Sequence, residues 1–191
     1  MSRVAPASKS RFCLVLEPGS AMDLMFGSGA GVKRILAGVD GSRESRVAAN
    51  YAADLAQVTG ARLILACAVF APDPLGDLEL VARTLVWEEE ERERGEDLVR
   101  QVAAEVARRG VASETLVVGG PAAATLAGLA KGRDVDLVVV GHRERSALAR
   151  LLIGSVADRL VEISPKPVLV VRSSVADRLV EIYPKPALVV R

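Results

Sequence analysis

The segment from Val135 to Val171 constrains the fold more than any other part of the chain. It contains two continuously apolar runs, Leu137–Val140 and Val168–Val171, which suit strands of a parallel sheet that is covered on both faces. Gly141 ends the first run, and a Gly154-Ser155 pair precedes a helical stretch. The N-terminus of that helix offers free backbone amides and a partial positive charge. The segment therefore predicts an anion site, with phosphate as the candidate ligand.

The alternation of strand and helix extends from Val32 to Arg172. Short apolar runs rich in β-branched residues occur in VKRILAGVD, ARLILACAV, VASETLVVGG, VDLVVVG and PVLVV, and helical stretches separate them. This order predicts parallel strands that are joined by right-handed crossovers. We therefore expect an α/β fold, with an open five-stranded parallel sheet and helices on both of its faces.

Two helices can be placed from their ends. The first is predicted from Ser42, which can cap it, to about Thr59, because Gly60 follows. Its apolar face is predicted to consist of Val47, Tyr51, Leu55 and Val58. A long helix is predicted from about Glu79 to Arg109, and we expect its charged run WEEEERERGED to be a solvated face with ion pairs one turn apart.

The composition fits one domain in an aqueous compartment. The chain has 191 residues, of which 50% are hydrophobic and 26% charged, and a formal net charge of +1. So small a charge argues against general binding of nucleic acid or membranes. The two cysteines, Cys13 and Cys67, form neither a disulfide framework nor a metal-ligand spacing, and Cys67 is predicted to be a small buried hydrophobe. The apolar run FCLVL is too short for a membrane span or a secretion signal, so we expect a cytoplasmic protein.

The chain ends in a near-identical repeat. The run SVADRLVEISPKPVLVVR at 155–172 recurs as SVADRLVEIYPKPALVVR at 174–191. We therefore predict a flexible extension over residues 1–31, a domain over 32–172 and a duplicated copy of the last helix-strand unit over 173–191. The second copy follows Ser173 rather than a glycine and has no basic loop, so it is not expected to form a second phosphate site. It could dock in the place of the first copy, in its own or a partner subunit, or add a further strand.

The segment 141–168 resembles the C-terminal signature of the universal stress protein family. ATP-binding members of that family carry Gly-x2-Gly-x9-Gly-Ser/Thr, then a helix and a Pro-Val-hydrophobic strand. The chain matches this pattern at Gly141, Gly154, Ser155, Pro167 and Val168. It departs from the pattern at the second glycine, where Glu144 stands. The resemblance implies an adenine-nucleotide α-hydrolase-like, Rossmann-like fold that binds ATP, with Mg²⁺ as its companion ion.

The resemblance also implies a set of binding residues. Val39 and Ala68, at the ends of two strands, would form the wall against adenine, and Asp40 would lie beside the adenine and ribose. Asp40 could equally cap the first helix through the turn DGS, and both roles could hold together. The ribose and phosphates would be held by Gly141, Arg143, Gly154, Ser155 and Val156. For Arg143, Arg145 and Arg150, a solubilising role in the loop is the alternative.

Three functions remain open at this stage. The first is a nucleotide-binding stress-response protein with no catalytic residue and at most slow ATP hydrolysis. The second is a dimeric adaptor that has lost nucleotide binding, which Glu144 favours because its carboxylate would repel phosphates. The third is a related enzyme such as an ATP pyrophosphatase, but the Ser-Gly-Gly-x-Asp-Ser loop of that group is absent. His142 is predicted to be a solvated loop residue rather than a catalytic one.

The resemblance further implies a homodimer and an unidentified protein partner. Val168–Val171 is predicted to be the last strand of the sheet, and an exposed edge strand invites pairing with another chain. Two copies of this strand would then meet in antiparallel orientation.

Overall fold

A computed structural model describes residues 31–70, 78–142, 155–171 and 180–183 of the chain. The predicted N-terminal extension, apart from residue 31, lies outside the described residues, as does most of the duplicated copy. The same holds for the loop that contains Arg143, Glu144, Arg145, Arg150 and Gly154.

The described elements alternate between strand and helix, as the sequence predicts. In chain order they are β1 (Arg34–Gly38), α1 (Arg43–Thr59), β2 (Arg62–Val69), α2 (Leu78–Ala107), β3 (Ser113–Gly119), α3 (Ala122–Gly132), β4 (Leu137–Gly141), α4 (Ser155–Ile163), β5 (Val168–Val171) and β6 (Val180–Tyr183). They form one sheet with the strand order β3-β2-β1-β4-β5-β6. The first five strands are parallel, which confirms the predicted sheet, and β6 is antiparallel to β5.

Helices cover both faces of the sheet. Alternate residues of each central strand enter two separate hydrophobic clusters, so that Ile35 and Ala37 face one way and Leu36 faces the other. The first cluster packs against α1 and α2, and the second packs against α3 and α4. Because both faces are buried, β4 and β5 are apolar throughout rather than at every second position.

Helix α1 has the predicted ends but a different buried face. Ser42 is its N-cap, with its Oγ accepting a hydrogen bond from the Ser45 amide at 3.1 Å, and Gly60 ends it in a left-handed conformation with φ 71°. Its buried residues are Ser45, Ala48, Ala49, Ala52, Ala53 and Ala56. Val47, Tyr51 and Leu55 of the predicted apolar face are partly buried and pack against the core beside this stripe. Val58 is 74% exposed, so the prediction is wrong for that residue. Alanines bring the helix close to the sheet, which leaves no room for larger side chains between them.

Helix α2 carries the predicted solvated face. Arg92 pairs with Glu89 and Glu96, and Arg94 pairs with Glu90 and Glu91, at spacings of three or four residues. These pairs are largely exposed, so water and salt screen them and each contributes little to stability. The charged run is therefore a solvated helix face, as predicted.

The duplicated copy departs from the first copy in structure. Residues 161–163 belong to α4, whereas the equivalent residues 180–182 lie in strand β6. The helix that the repeat predicts at this point is therefore wrong, and the alternative of a further strand is the one found. Because β6 pairs with β5, Val168–Val171 is not the last strand of the described sheet.

Candidate functional site

A pocket lies at the carboxyl edge of the sheet, where β1 and β4 are neighbours. The chain leaves β1 toward β2 on one side and reaches β5 from β4 on the other side. Open α/β sheets bind ligands at such a switch point, because the diverging connections leave a crevice beyond the strand ends. The pocket has a volume of about 120 Å³. Its lining includes five of the predicted residues: Val39, Asp40, Ala68, Gly141 and Val156.

The other predicted binding residues are only partly covered. Ser155 is the first residue of α4, so the N-terminus of this helix lies beside the pocket that Val156 lines. Arg143 and Gly154 lie outside the described residues.

Several small or apolar residues of the pocket were not anticipated from the sequence. They are Gly38, Ala66, Ala122, Leu126, Val140 and Ala157. One signal was available for Ala66, because it precedes Ala68 by two positions and therefore faces the same side of β2. The pocket residues of α3 and α4 could not be predicted from local sequence patterns, since their positions depend on how these helices pack against the sheet.

Asp40 forms the predicted DGS turn ahead of α1, although Ser42 is the residue that caps the helix. Asp40 Oδ1 accepts hydrogen bonds from the Ser42 amide at 3.0 Å and from the Ser42 hydroxyl at 2.5 Å. Gly41, with φ +80°, makes the tight turn between these residues possible. The backbone amide of Asp40 donates to Ser45 Oγ at 3.3 Å, which ties the turn to α1. The carboxylate is thereby held at the pocket wall in a fixed orientation.

Cys67 has a raised pKa, caused first by burial and then by nearby negative charges, including that of Asp40. Burial raises the pKa of the Cys67 thiol, and the charges of Asp40 and Glu91 raise it further. Cys67 as a whole is 6% exposed, and its thiol stays protonated at neutral pH, which makes it unreactive. The prediction that Cys67 is a small buried hydrophobe is therefore confirmed.

Gly141 is required by packing, whatever ligand the pocket holds. A Cβ at this position would lie 2.5 Å from the carbonyl carbon of Glu44 and 2.8 Å from the amide nitrogen of Ser45. Both are backbone atoms of the first turn of α1, and they cannot move away as a side chain could. The missing side chain lets β4 end directly against α1, which closes one side of the pocket.

His142 is buried, so its predicted place in a solvated loop is wrong. It is 3% exposed, and its backbone amide donates a hydrogen bond to the carbonyl oxygen of Val171 at 2.8 Å. Burial raises the pKa of Asp158 in the first turn of α4, the charge of His142 lowers it, and Glu162 raises it. His142 is thus bonded to β5 and lies near enough to the first turn of α4 to affect Asp158, although no local pattern predicts its burial.

A larger cavity of about 790 Å³ lies at the opposite, amino edge of the sheet. Its charged lining consists of Arg34, Arg62, Glu114 and Arg133. Arg34 Nη1 donates to the carbonyl oxygen of Arg133 at 2.7 Å, and Arg133 pairs with Glu114, so two of the three arginines already bind protein groups. The ends of α1 and α2 at this edge are C-terminal, which disfavours an anion. The smaller pocket is therefore the better candidate site.

The described residues offer no independent metal site at either edge. Within 31–70, 78–142, 155–171 and 180–183, no three His, Cys, Asp or Glu residues form a group that could hold a metal ion. In the same part of the chain, every helix is too short or too polar to cross a bilayer.

Comparison with known proteins gives a consistent result. The sequence profile of the universal stress protein family matches residues 31–172. A universal stress protein of Thermus aquaticus is 37% identical over 143 residues, which cover 73% of this chain and 98% of the relative. The solved universal stress protein UspA of Lactobacillus plantarum has a TM-score of 0.67 at 25% identity and aligns over 75% of this chain and 100% of its own.

A further structure is of a universal stress protein in complex with cAMP. Its TM-score is 0.60 at 28% identity, with 75% of this chain and 99% of that chain covered. Sequence, sheet order and solved relatives therefore agree, and the chain belongs to the universal stress protein family.

Proposed function

We propose that the chain binds an adenine nucleotide, ATP with Mg²⁺, in the pocket at the β1–β4 switch point. In this proposal the occupied site changes the interactions of the protein with partners during stress. The observation that carries it is the convergence of Val39, Asp40, Ala68, Gly141 and Val156 on one pocket, although they come from four separate parts of the sequence. The relative in complex with cAMP supports the choice of an adenine nucleotide.

The chemistry of the walls suits the parts of a nucleotide. Val39, Ala66 and Ala68 provide small apolar groups against which a flat base can pack. The Asp40 carboxylate can accept hydrogen bonds from ribose hydroxyls while its turn to Ser42 holds it in place. The N-terminus of α4 favours the phosphates, and Arg143 would add positive charge. Mg²⁺ would be held by the phosphates, because divalent magnesium is usually bound through substrate phosphates with few protein ligands.

The proposal includes a cytoplasmic protein that can form a homodimer. It assigns no catalytic step to the pocket, and hydrolysis, if it occurs, is slow. The binding of nucleotide is instead expected to change how the protein interacts with a partner.

The second candidate is a dimeric adaptor of the same family that works without nucleotide. Glu144 favours it, because a carboxylate stands where the family pattern has a glycine. Two unit charges ~4 Å apart repel by about 1 kcal/mol in bulk water and by about 4 kcal/mol at an effective dielectric of 20. Repulsion of that size would lower the affinity for a polyphosphate by about one to three factors of ten. A loss of that size could abolish binding at ordinary nucleotide concentrations.

Calorimetric titration with ATP and with cAMP, with magnesium present, separates the two candidates. We expect binding to the wild type and a loss of affinity of at least about tenfold for Ala68→Leu, since a larger side chain would fill the small pocket. Ala112→Leu is the matched control, because Ala112 lines the larger cavity at the amino edge. A folded wild type that binds neither nucleotide would favour the adaptor. Equal losses in both variants would mean that the pocket is not the site.

A further inference from the structure

Strand β6 covers the edge of β5, the strand that would otherwise end the sheet. Val168 is in register with Tyr183, Leu169 with Ile182, Val170 with Glu181 and Val171 with Val180. All four residues of β5 are buried. Without β6, this apolar strand would present a row of unpaired backbone N–H and C=O groups, which is a template for strand addition. The duplicated segment therefore occupies a surface that can accept a strand.

The difference between the two copies explains why the second one is free to act as a strand. The first copy supplies helix α4, whose Ala157 and Leu160 are buried in the core. A second helix cannot occupy the same place on the sheet. Ser164 ends this helix, since its Oγ accepts from the Lys166 amide at 3.1 Å and donates to the Lys166 carbonyl oxygen at 2.7 Å. Tyr183 replaces this serine in the second copy. A tyrosine cannot form that short turn, and valine, isoleucine and tyrosine all favour strands.

The direction of β6 identifies the partner that it excludes. A two-fold axis perpendicular to the sheet would bring a second copy of β5 against the first in antiparallel orientation. Strand β6 runs antiparallel to β5 in the same chain, so it lies where the β5 strand of a second copy would lie. A second copy of the chain and the tail therefore compete for one row of hydrogen-bonding groups.

We propose that the outer edge of β5 is a strand-accepting surface and that Val180–Tyr183 is a built-in competitor that keeps a second copy of the chain from pairing there. The inference rests on the homodimer of the proposed function. Its test uses no nucleotide, so a failure of the tail mechanism can be told apart from a failure of nucleotide binding. Because β6 is tethered to β5 by residues 172–179, it competes at an effective concentration that reaches the millimolar range for short tethers.

Both chains must release their tails before two β5 edges can pair. The apparent dissociation constant of the dimer is therefore divided by the square of the fraction of chains with an open edge. If the tail is bound about ten times more often than it is released, the apparent constant rises about a hundredfold. Disrupting β6 should remove this factor.

The test uses two variants of the full-length chain. Consecutive residues of a strand direct their N–H groups to opposite edges, so Glu181→Pro combined with Ile182→Pro must remove one hydrogen bond to β5, whichever residue donates it. Glu181→Thr combined with Ile182→Thr is the matched control, because it makes the same change in charge and keeps a residue that favours strands. Sedimentation equilibrium without nucleotide, from micromolar to several hundred micromolar protein, measures the dimer constant of each.

We expect the proline variant to dimerise about a hundredfold more tightly than the wild type and the threonine variant to resemble the wild type. A synthetic peptide of residues 174–191, added to the proline variant, should then return it to monomer.

Four results would overturn the proposal. If the wild type and both variants are monomers throughout, the β5 edge does not accept a second copy. If all three form equally tight dimers, the dimer uses another surface. A wild-type dimer that the prolines dissociate would mean that tails are exchanged between subunits rather than blocking them. A proline variant without a cooperative thermal transition would show that β6 is an integral strand and not a displaceable competitor.

Discussion

At the scale of single residues, Gly141 illustrates how a motif glycine can serve the fold before it serves a ligand. Gly141→Ala would force a Cβ to 2.5 Å from the backbone of Glu44, and neither β4 nor α1 can shift without disturbing the core. We expect the free energy of unfolding to fall by about 3 kcal/mol, at the upper end for overpacking. Urea denaturation of the variant and the wild type measures the change.

Gly128→Ala is the control for this experiment. Gly128 lies inside α3 with nothing within 4 Å of the added Cβ, so alanine should raise the stability by about 0.5–1 kcal/mol through its better helix propensity. If Gly141→Ala were as stable as the wild type, the close packing of β4 against α1 would not limit this position.

Glu144 is the residue at which the two candidate functions diverge. If the loop 143–154 faces the phosphates, Glu144→Gly removes a like charge and permits close approach of the backbone, so ATP affinity should rise by about tenfold or more. Glu144→Gln separates the two causes, because it removes the charge and keeps the bulk. Calorimetric titration of ATP into the wild type and both variants gives the three affinities. Equal values would mean that Glu144 does not face the phosphates.

Residues at strand ends could be predicted from the sequence, but buried residues beyond them could not. Val39, Asp40 and Ala68 follow from the rule that ligands bind at the carboxyl ends of parallel strands, together with the family resemblance. His142 also follows a strand, yet it is buried, and its backbone amide bonds to Val171 of β5. That burial depends on contacts with residues far along the chain, which a local pattern does not contain.

At the scale of secondary structure elements, ends were predictable and buried faces were less so. Helix α1 begins after Ser42 and ends before Gly60, as predicted, because capping depends on a few adjacent residues. Its fully buried positions are mainly alanines. The larger residues that the spacing predicted as the core face lie beside them and are partly buried, except for Val58. Side-chain size therefore indicated the flank of the buried face rather than its centre, since the short distance between helix and sheet selects small residues there.

The two copies of the repeat differ in secondary structure. Val161-Glu162-Ile163 ends α4, whereas the identical run Val180-Glu181-Ile182 belongs to β6. Identical residues thus adopt different secondary structures in one chain, because the first copy already fills the helical position. Whether a copy forms the helix or the strand depends on the whole sheet. It cannot be predicted from a few neighbouring residues.

At the scale of the whole molecule, the domain core is expected to fold without the duplicated tail. In the part of the chain that the structure describes, the members of both hydrophobic clusters and of the pocket lining lie between Val32 and Val171. Deleting Ser174–Arg191 should therefore leave a cooperative thermal transition and the nucleotide affinity of the full chain, because the deletion removes none of these core or pocket residues.

The deletion should also make the melting temperature depend on dimer formation. If the open β5 edge lets two copies pair, the melting temperature of the truncated chain will rise with protein concentration, since association stabilises the folded state by mass action. The full chain, with its edge covered by β6, should melt at nearly the same temperature over that range. Calorimetric scans of both chains at several concentrations provide the comparison. A truncated chain that loses its cooperative transition would show that β6 completes the core, and a concentration-independent melt would show that the exposed edge stays unpaired.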